Sequence, residues 1–103
     1  MSATDEVLPT ACDLTSFQLS LLASVAASEK SGQEIKEDLE PAYDTEINNG
    51  RLYPNLDALE REGLIEKSPR DRRTNDYRIT QQGRNVITIR QQWLAHKISG
   101  GRA

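Results

Sequence analysis

The side chains best equipped for chemistry in this sequence lie in two short polar segments. The first, Asn48-Asn49-Gly50-Arg51, stands at the head of a leucine-spaced run. Asparagine pairs bidentately with adenine and arginine with guanine. The N-terminus of a helix adds attraction for phosphate. The second segment, Pro69-Arg70-Asp71-Arg72-Arg73-Thr74-Asn75-Asp76, is followed at once by Tyr77 and Arg78. Guanidinium forks suit phosphate oxygens and respond to a narrow minor groove. Asp71 and Asp76 reduce the charge of that segment to +1, so a solvated turn is the reading to be displaced.

Other chemistry is thin. With one cysteine and one histidine, neither a disulfide framework, a Cys-based zinc site nor a triad is expected. Cys12 lies next to Asp13, outside any cationic nest, and reads as a half-buried structural cysteine, not a reactive thiolate. His96, near a helix C-terminus, reads as a dipole partner or interface residue. No enzyme activity, metal or cofactor is expected.

The elements that must position these segments follow from caps and periodicity. Residues 1–13 read as a loose N-terminal arm. Thr15 with Gln18 forms a capping box, with Leu14 stapling to Leu19, for a helix to about Ser28 that carries Phe17, Leu21, Leu22 and Val25 on one face. Ser31 with Glu34 forms a second box, for a short helix through Ile35 and Leu39 that Pro41 stops. After a turn at 42–46, Asn48 or Asn49 caps a third helix. Its Leu52, Leu56 and Leu59 recur at i, i+4 and i+7, and Gly63 ends it. Pro54 predicts a distorted or late-starting first turn.

The period then changes. Strand-like runs at 64–68 and 77–80, with Ile65, Tyr77 and Ile79 pointing inward, flank the basic segment as a hairpin with a long tip. Thr80 caps a last helix to about Ile98, and residues 99–103 read as a flexible tail. The order is that of a mainly α, small α+β domain. Two short helices, a polar turn and a third helix opening on Asn48-Asn49-Gly50-Arg51 make a helix-turn-helix. The hairpin sits beside its reading end.

Charge is sorted along the chain. Residues 1–66 hold 14 acids and 4 bases, a net of −10, and residues 67–103 a net of +7. Such asymmetry points to a nucleic-acid or acidic-partner surface. From Asp44 to Gly63 the net is −3, so only the first turns of the third helix can face a duplex. In the last helix Val86, Ile89 and Trp93 form one stripe and Ile87, Leu94 and Ile98 another. One stripe closes a core of this size; two predict packing on the domain and on a second chain.

Leu52-Tyr53-Pro54-Asn55-Leu56, Leu59-Glu60-Arg61-Glu62-Gly63-Leu64-Ile65, Tyr77-Arg78-Ile79-Thr80 and Gly83-Arg84 together resemble the PadR family of winged-helix transcriptional regulators, over about Leu14 to Trp93. The resemblance implies a winged helix-turn-helix over 14–80, with a two-stranded hairpin wing, and a C-terminal dimerisation helix over 81–98. It puts Asn48, Asn49, Arg51 and Tyr53 at the base-reading end, and Arg72 and Arg73 on the wing. Gly50 and Asn55 are expected to join the first set and the hairpin's Arg70 and Arg78 the second. Tyr53 has an equal alternative, its ring packed under the hairpin with only the hydroxyl open to a phosphate. Val86, Ile87, Ile89, Arg90, Trp93, Leu94 and Ile98 fall at a homodimer interface. Ser31-Gly32-Gln33 departs from the histidine-glycine-tyrosine common in the family. The acidic, lysine-poor composition looks haloarchaeal, and the chain is similar to an oxidative-stress regulator of halophilic archaea.

The resulting expectation is a cytoplasmic homodimer on a pseudo-palindromic site in double-stranded promoter DNA, with no membrane partner. Arg51 is expected to discriminate base pairs and Arg73 to hold all sequences alike. A winged-helix module docking on another protein through its helical stripes is the competing reading.

Overall fold

The computed structural model describes residues 9–100. Residues 1–8 of the expected arm and 101–103 of the expected tail lie outside the described residues. Residues 9–13 are helical, not loose, because Ala11 is fully buried in the core and anchors them.

Helix α1 (Ser16–Ala27) opens on the expected box: the Thr15 hydroxyl accepts from Gln18 N–H, and the Gln18 side chain accepts from Thr15 N–H. Its Phe17, Leu21, Leu22 and Val25 are all buried. The two-residue strand β1 (Lys30–Ser31) leads into α2 (Gly32–Tyr43), which begins on the reciprocal Ser31–Glu34 box. Pro41 does not stop α2. The helix runs two residues further and ends at Asp44 in the left-handed region (φ 53°). Pro41 falls in the last turn, where the ladder bond it removes is the one to the exposed Glu37, and the Asp44 N–H restores a bond to the Glu40 carbonyl at 2.9 Å.

The turn into α3 (Asn49–Arg61) is held by the Glu40 carboxylate, which accepts from Ile47 N–H at 2.9 Å while the Ile47 side chain enters the core. Asn48 is the cap. Despite Pro54 the helix starts on time, with a tightened first turn in which the Asn48 carbonyl accepts from both Arg51 and Leu52 N–H at 3.1 Å. Leu52, Leu56 and Leu59 are buried, and Gly63 at φ 77° takes the chain out of the helix.

Strands β2 (Ile65–Pro69) and β3 (Asn75–Ile79) pair antiparallel, with Ile65 opposite Ile79 and Pro69 opposite Asn75. The tip is therefore 70–74, shorter than expected. β1 adds to the other edge of β3, Lys30 facing Tyr77, so the sheet has three strands in the order β1-β3-β2 where two were expected. Thr80 caps α4 (Gln81–Ser99): its Oγ1 accepts from Gly83 N–H at 3.0 Å and donates to the Gly63 carbonyl at 2.7 Å. This ties the end of α3 to the start of α4. The first half of α4 packs on the domain through Val86, Ile87 and Ile89. The second half stands clear of the core, leaving Leu94 40% and Ile98 85% exposed.

Candidate nucleic-acid interface

Two protruding elements define the site: the N-terminal turn of α3 and the wing tip. At the α3 end, Asn48, Asn49 and Gly50 are exposed. The Asn48 Oδ1 is engaged in capping, accepting from Arg51 N–H at 2.9 Å, so its amide N–H groups are what it can present outward. Asn49 Oδ1 accepts from Lys36 Nζ at 3.1 Å, which brings a cation of α2 onto the same surface. Tyr53, 38% exposed, lays its ring on Gly32 at the start of α2. A Cβ on Gly32 would lie 2.5 Å from the Tyr53 hydroxyl, so only glycine allows this approach.

Two residues expected at the reading end make contacts within their own chain, Arg51 while remaining exposed and Asn55 half-buried. The Arg51 guanidinium sits 4.0 Å from the centroid of Phe17 and 5.7 Å from that of Tyr43, a cation–π stack on an edge-to-face aromatic pair. Asn55 donates to the Arg51 carbonyl at 2.7 Å and accepts from Gln18 Nε2 at 3.2 Å. Its amide is spent inside the domain, because position 55 lies one turn past the helix tip on the side facing α1.

The wing separates its arginines into two kinds. Arg78 forks onto Glu66 of the neighbouring strand through Nε at 3.0 Å and Nη2 at 2.8 Å, and that carboxylate raises its pKa. Arg70 bridges Asp76 and Glu34, which likewise raise its pKa. Arg72 and Arg73 are exposed and make no ion pair among the described residues. Asp71, beside them, does not neutralise them by contact. Its Oδ1 accepts from Arg73 and Thr74 N–H, both at 2.9 Å, and those backbone donors, Arg73 first, hold its carboxyl below the usual range. Asp71 thus folds the tip and leaves Arg72 and Arg73 to solvent.

A single open groove joins the two elements. Tyr53 from α3, Gln33 and Glu34 from α2, and Arg70, Arg73 and Asn75 from the wing all line it. Tyr77 forms its floor, and burial pushes its hydroxyl up to about 12, so it stays a neutral structural ring. The Ser31 backbone N–H, and next Arg70, hold the Glu34 carboxyl down at about 2. Glu34, Gln33 and Lys36 were not legible as site residues, since the capping box explains Glu34 without any ligand. The one available signal was that α2 precedes a reading helix and must present its first turn beside it.

The expected interface helix carries Arg90 and Trp93 half-buried, and Leu94 and Ile98 exposed. The Arg90 and Lys97 cations lie 5.2 and 5.6 Å from the Trp93 ring. Arg90 Nη1 is 4.0 Å from the Cys12 sulfur, and Cys12 is exposed. Cys12 is therefore neither half-buried nor free of a cationic neighbour, because the helical residues 9–13 carry it against α4. His96 is exposed in the last turn. No helix among the described residues is long and apolar enough to cross a membrane.

Comparison with known proteins agrees with this architecture. The model of the transcriptional regulator PadR-like family matches residues 21–89. RosR of Halobacterium salinarum, in a structure grown from NaBr, is 43% identical over 86% of this chain and 81% of that chain, with a TM-score of 0.82. A complex structure of RosR, hsRosR-S1, is 44% identical over 84% of this chain and 78% of that one, with a TM-score of 0.81. A point mutant of MarR from E. coli, complexed with operator DNA, is 25% identical over 91% of this chain and 64% of that chain, with a TM-score of 0.69. No curated protein matches the chain.

Proposed function

The chain belongs to the PadR-like family of transcriptional regulators, and on that basis we propose that it acts as a homodimer on pseudo-palindromic promoter DNA. The observation that carries this reading is the groove whose walls are the α3 end and the wing, with exposed Asn48, Asn49 and Gly50 beside it, Arg73 at its rim and Arg72 next to it on the wing tip, neither arginine in an ion pair among the described residues. Asn48, Asn49 and the Tyr53 hydroxyl meet base edges or adjacent phosphates in the major groove. Arg72, Arg73 and Lys36 meet the backbone. Arg51 fixes the helix end by stacking on Phe17 and, being exposed, keeps guanidinium N–H groups for DNA.

The twofold partner is assigned to the outer half of α4, where Trp93, Leu94 and Ile98 form an unpartnered apolar surface. A second copy seated there presents two reading ends to two half-sites about one or two helical turns apart. The setting is the cytoplasm, and the physiological cue, taken from the likeness to RosR, is oxidative stress. The role is regulatory and non-enzymatic. Genome-wide binding with and without oxidant tests the reading. Protected sites with twofold symmetry whose occupancy changes with oxidant are expected. Absence of any protected site, with a stable heteromeric partner on α4, overturns it in favour of a protein-docking module.

A further inference from the structure

Arg70 is the one wing arginine held across a gap between elements. Its Nη2 lies 2.7 Å from Glu34 Oε1 on the first turn of α2 and also contacts Asp76 Oδ1 on β3. Two carboxylates sharing one guanidinium give this cluster a net charge of −1, and its Glu34 and Arg70 line the groove together with Tyr53 and Arg73. The two carboxylates are not equivalent. Asp76 is only 15% exposed and belongs to the wing itself. Glu34 is 46% exposed and belongs to another element, where it is fixed by accepting from Ser31 N–H at 2.8 Å.

A DNA phosphate arriving at the wing therefore finds Arg70 occupied by a carboxylate that is already in place and already desolvated on one side. Exposed ion pairs of this kind are weak and are screened by salt, so the contact can be displaced, but not without loss. We propose, resting on the DNA-binding reading above, that Glu34 is a specificity-determining residue. It latches Arg70 and draws the wing toward α2, weakening the pull of each wing on the phosphates of DNA of arbitrary sequence. Backbone attraction is then left to Arg72, Arg73 and Lys36, and base contacts at the α3 end carry a larger share of the discrimination.

Glu34→Gln tests this cleanly, because glutamine at the third helical position keeps the capping box while removing the charge. The probe is a labelled duplex of mixed sequence and about three helical turns, titrated by anisotropy against full-length wild type, Glu34→Gln, Arg70→Ala and the double variant, with circular dichroism as the check on folding. Glu34→Gln leaves Arg70 paired with Asp76 alone, a neutral pair in place of a cluster of net charge −1, and is expected to tighten binding at about 0.1 M salt by on the order of threefold while changing the slope of log K by less than about 0.5. The double variant is expected to show none of that gain. An equal gain with and without Arg70 would reduce Glu34 to simple repulsion and overturn the latch while leaving DNA binding intact, as would no gain at all. Failure of every protein to bind at any salt would overturn the DNA-binding reading, and the latch with it.

Discussion

Replacing Arg72 and Arg73 together by alanine isolates the electrostatic part of DNA binding. Of the four wing arginines, Arg78 is forked onto Glu66 and Arg70 is shared between Asp76 and Glu34, so each must break an ion pair before meeting a phosphate. Arg72 and Arg73 have nothing to break, since Asp71 spends its carboxylate on the backbone. Each phosphate neutralised contributes about 0.9 to the slope of log K against log salt. Two arginines on each of two protomers make four contacts, so the double variant loses about 3.6 from that slope. Over a fourfold rise in salt the wild type then weakens about 150-fold more than the variant. Anisotropy titrations of a mixed-sequence duplex at several salt concentrations measure this directly. Arg78→Ala, the control, changes the slope by less than about 0.5. An unchanged slope for the double variant, or an equal loss for Arg78→Ala, would refute the division between engaged and free arginines.

Three further outcomes follow from the same geometry. Gly83→Ala places a Cβ against the Leu64 carbonyl and Ile79 Cγ1 where α4 crosses the sheet, and urea denaturation is expected to show a loss of about 1–3 kcal/mol. The Glu34 carboxyl, lowered from 4.5 to about 2 by the Ser31 N–H and then Arg70, stabilises the fold fully above pH 4.5; that contribution fades as pH falls toward 2, and an NMR titration of its carboxyl carbon should show the depressed midpoint. Ile98→Ser removes an apolar side chain that is 85% exposed in the single chain, and with two copies at a twofold interface sedimentation equilibrium should show dimerisation weakened by about 2–5 kcal/mol, with monomer stability unchanged.

What could be read from the sequence was local. Thr15 with Gln18 and Ser31 with Glu34 are patterns spanning four residues, and both boxes form. The leucines of α3 and the positive φ of Gly63 follow from period and from glycine's freedom. What could not be read was decided between elements. β1 is two residues long and exists only because β3 offers a free edge. Arg51 bears a guanine-reading side chain at a helix tip, yet Phe17, far away in sequence, offers it a ring at 4.0 Å. Arg70 and Glu34, 36 residues apart, each had a sufficient local explanation, a phosphate ligand and a cap, that concealed their pairing. Cys12 looked insulated by Asp13 until the helical residues 9–13 brought it to Arg90.

Hydrogen exchange on the protein with and without a duplex selected from a random pool tests the interface most directly. Slowed exchange at the amides of residues 48–53 and 70–74, with α4 equally protected in both states, is the predicted pattern. Protection confined to the outer half of α4, with the wing tip and the α3 end exchanging as freely as in the protein alone, would contradict it.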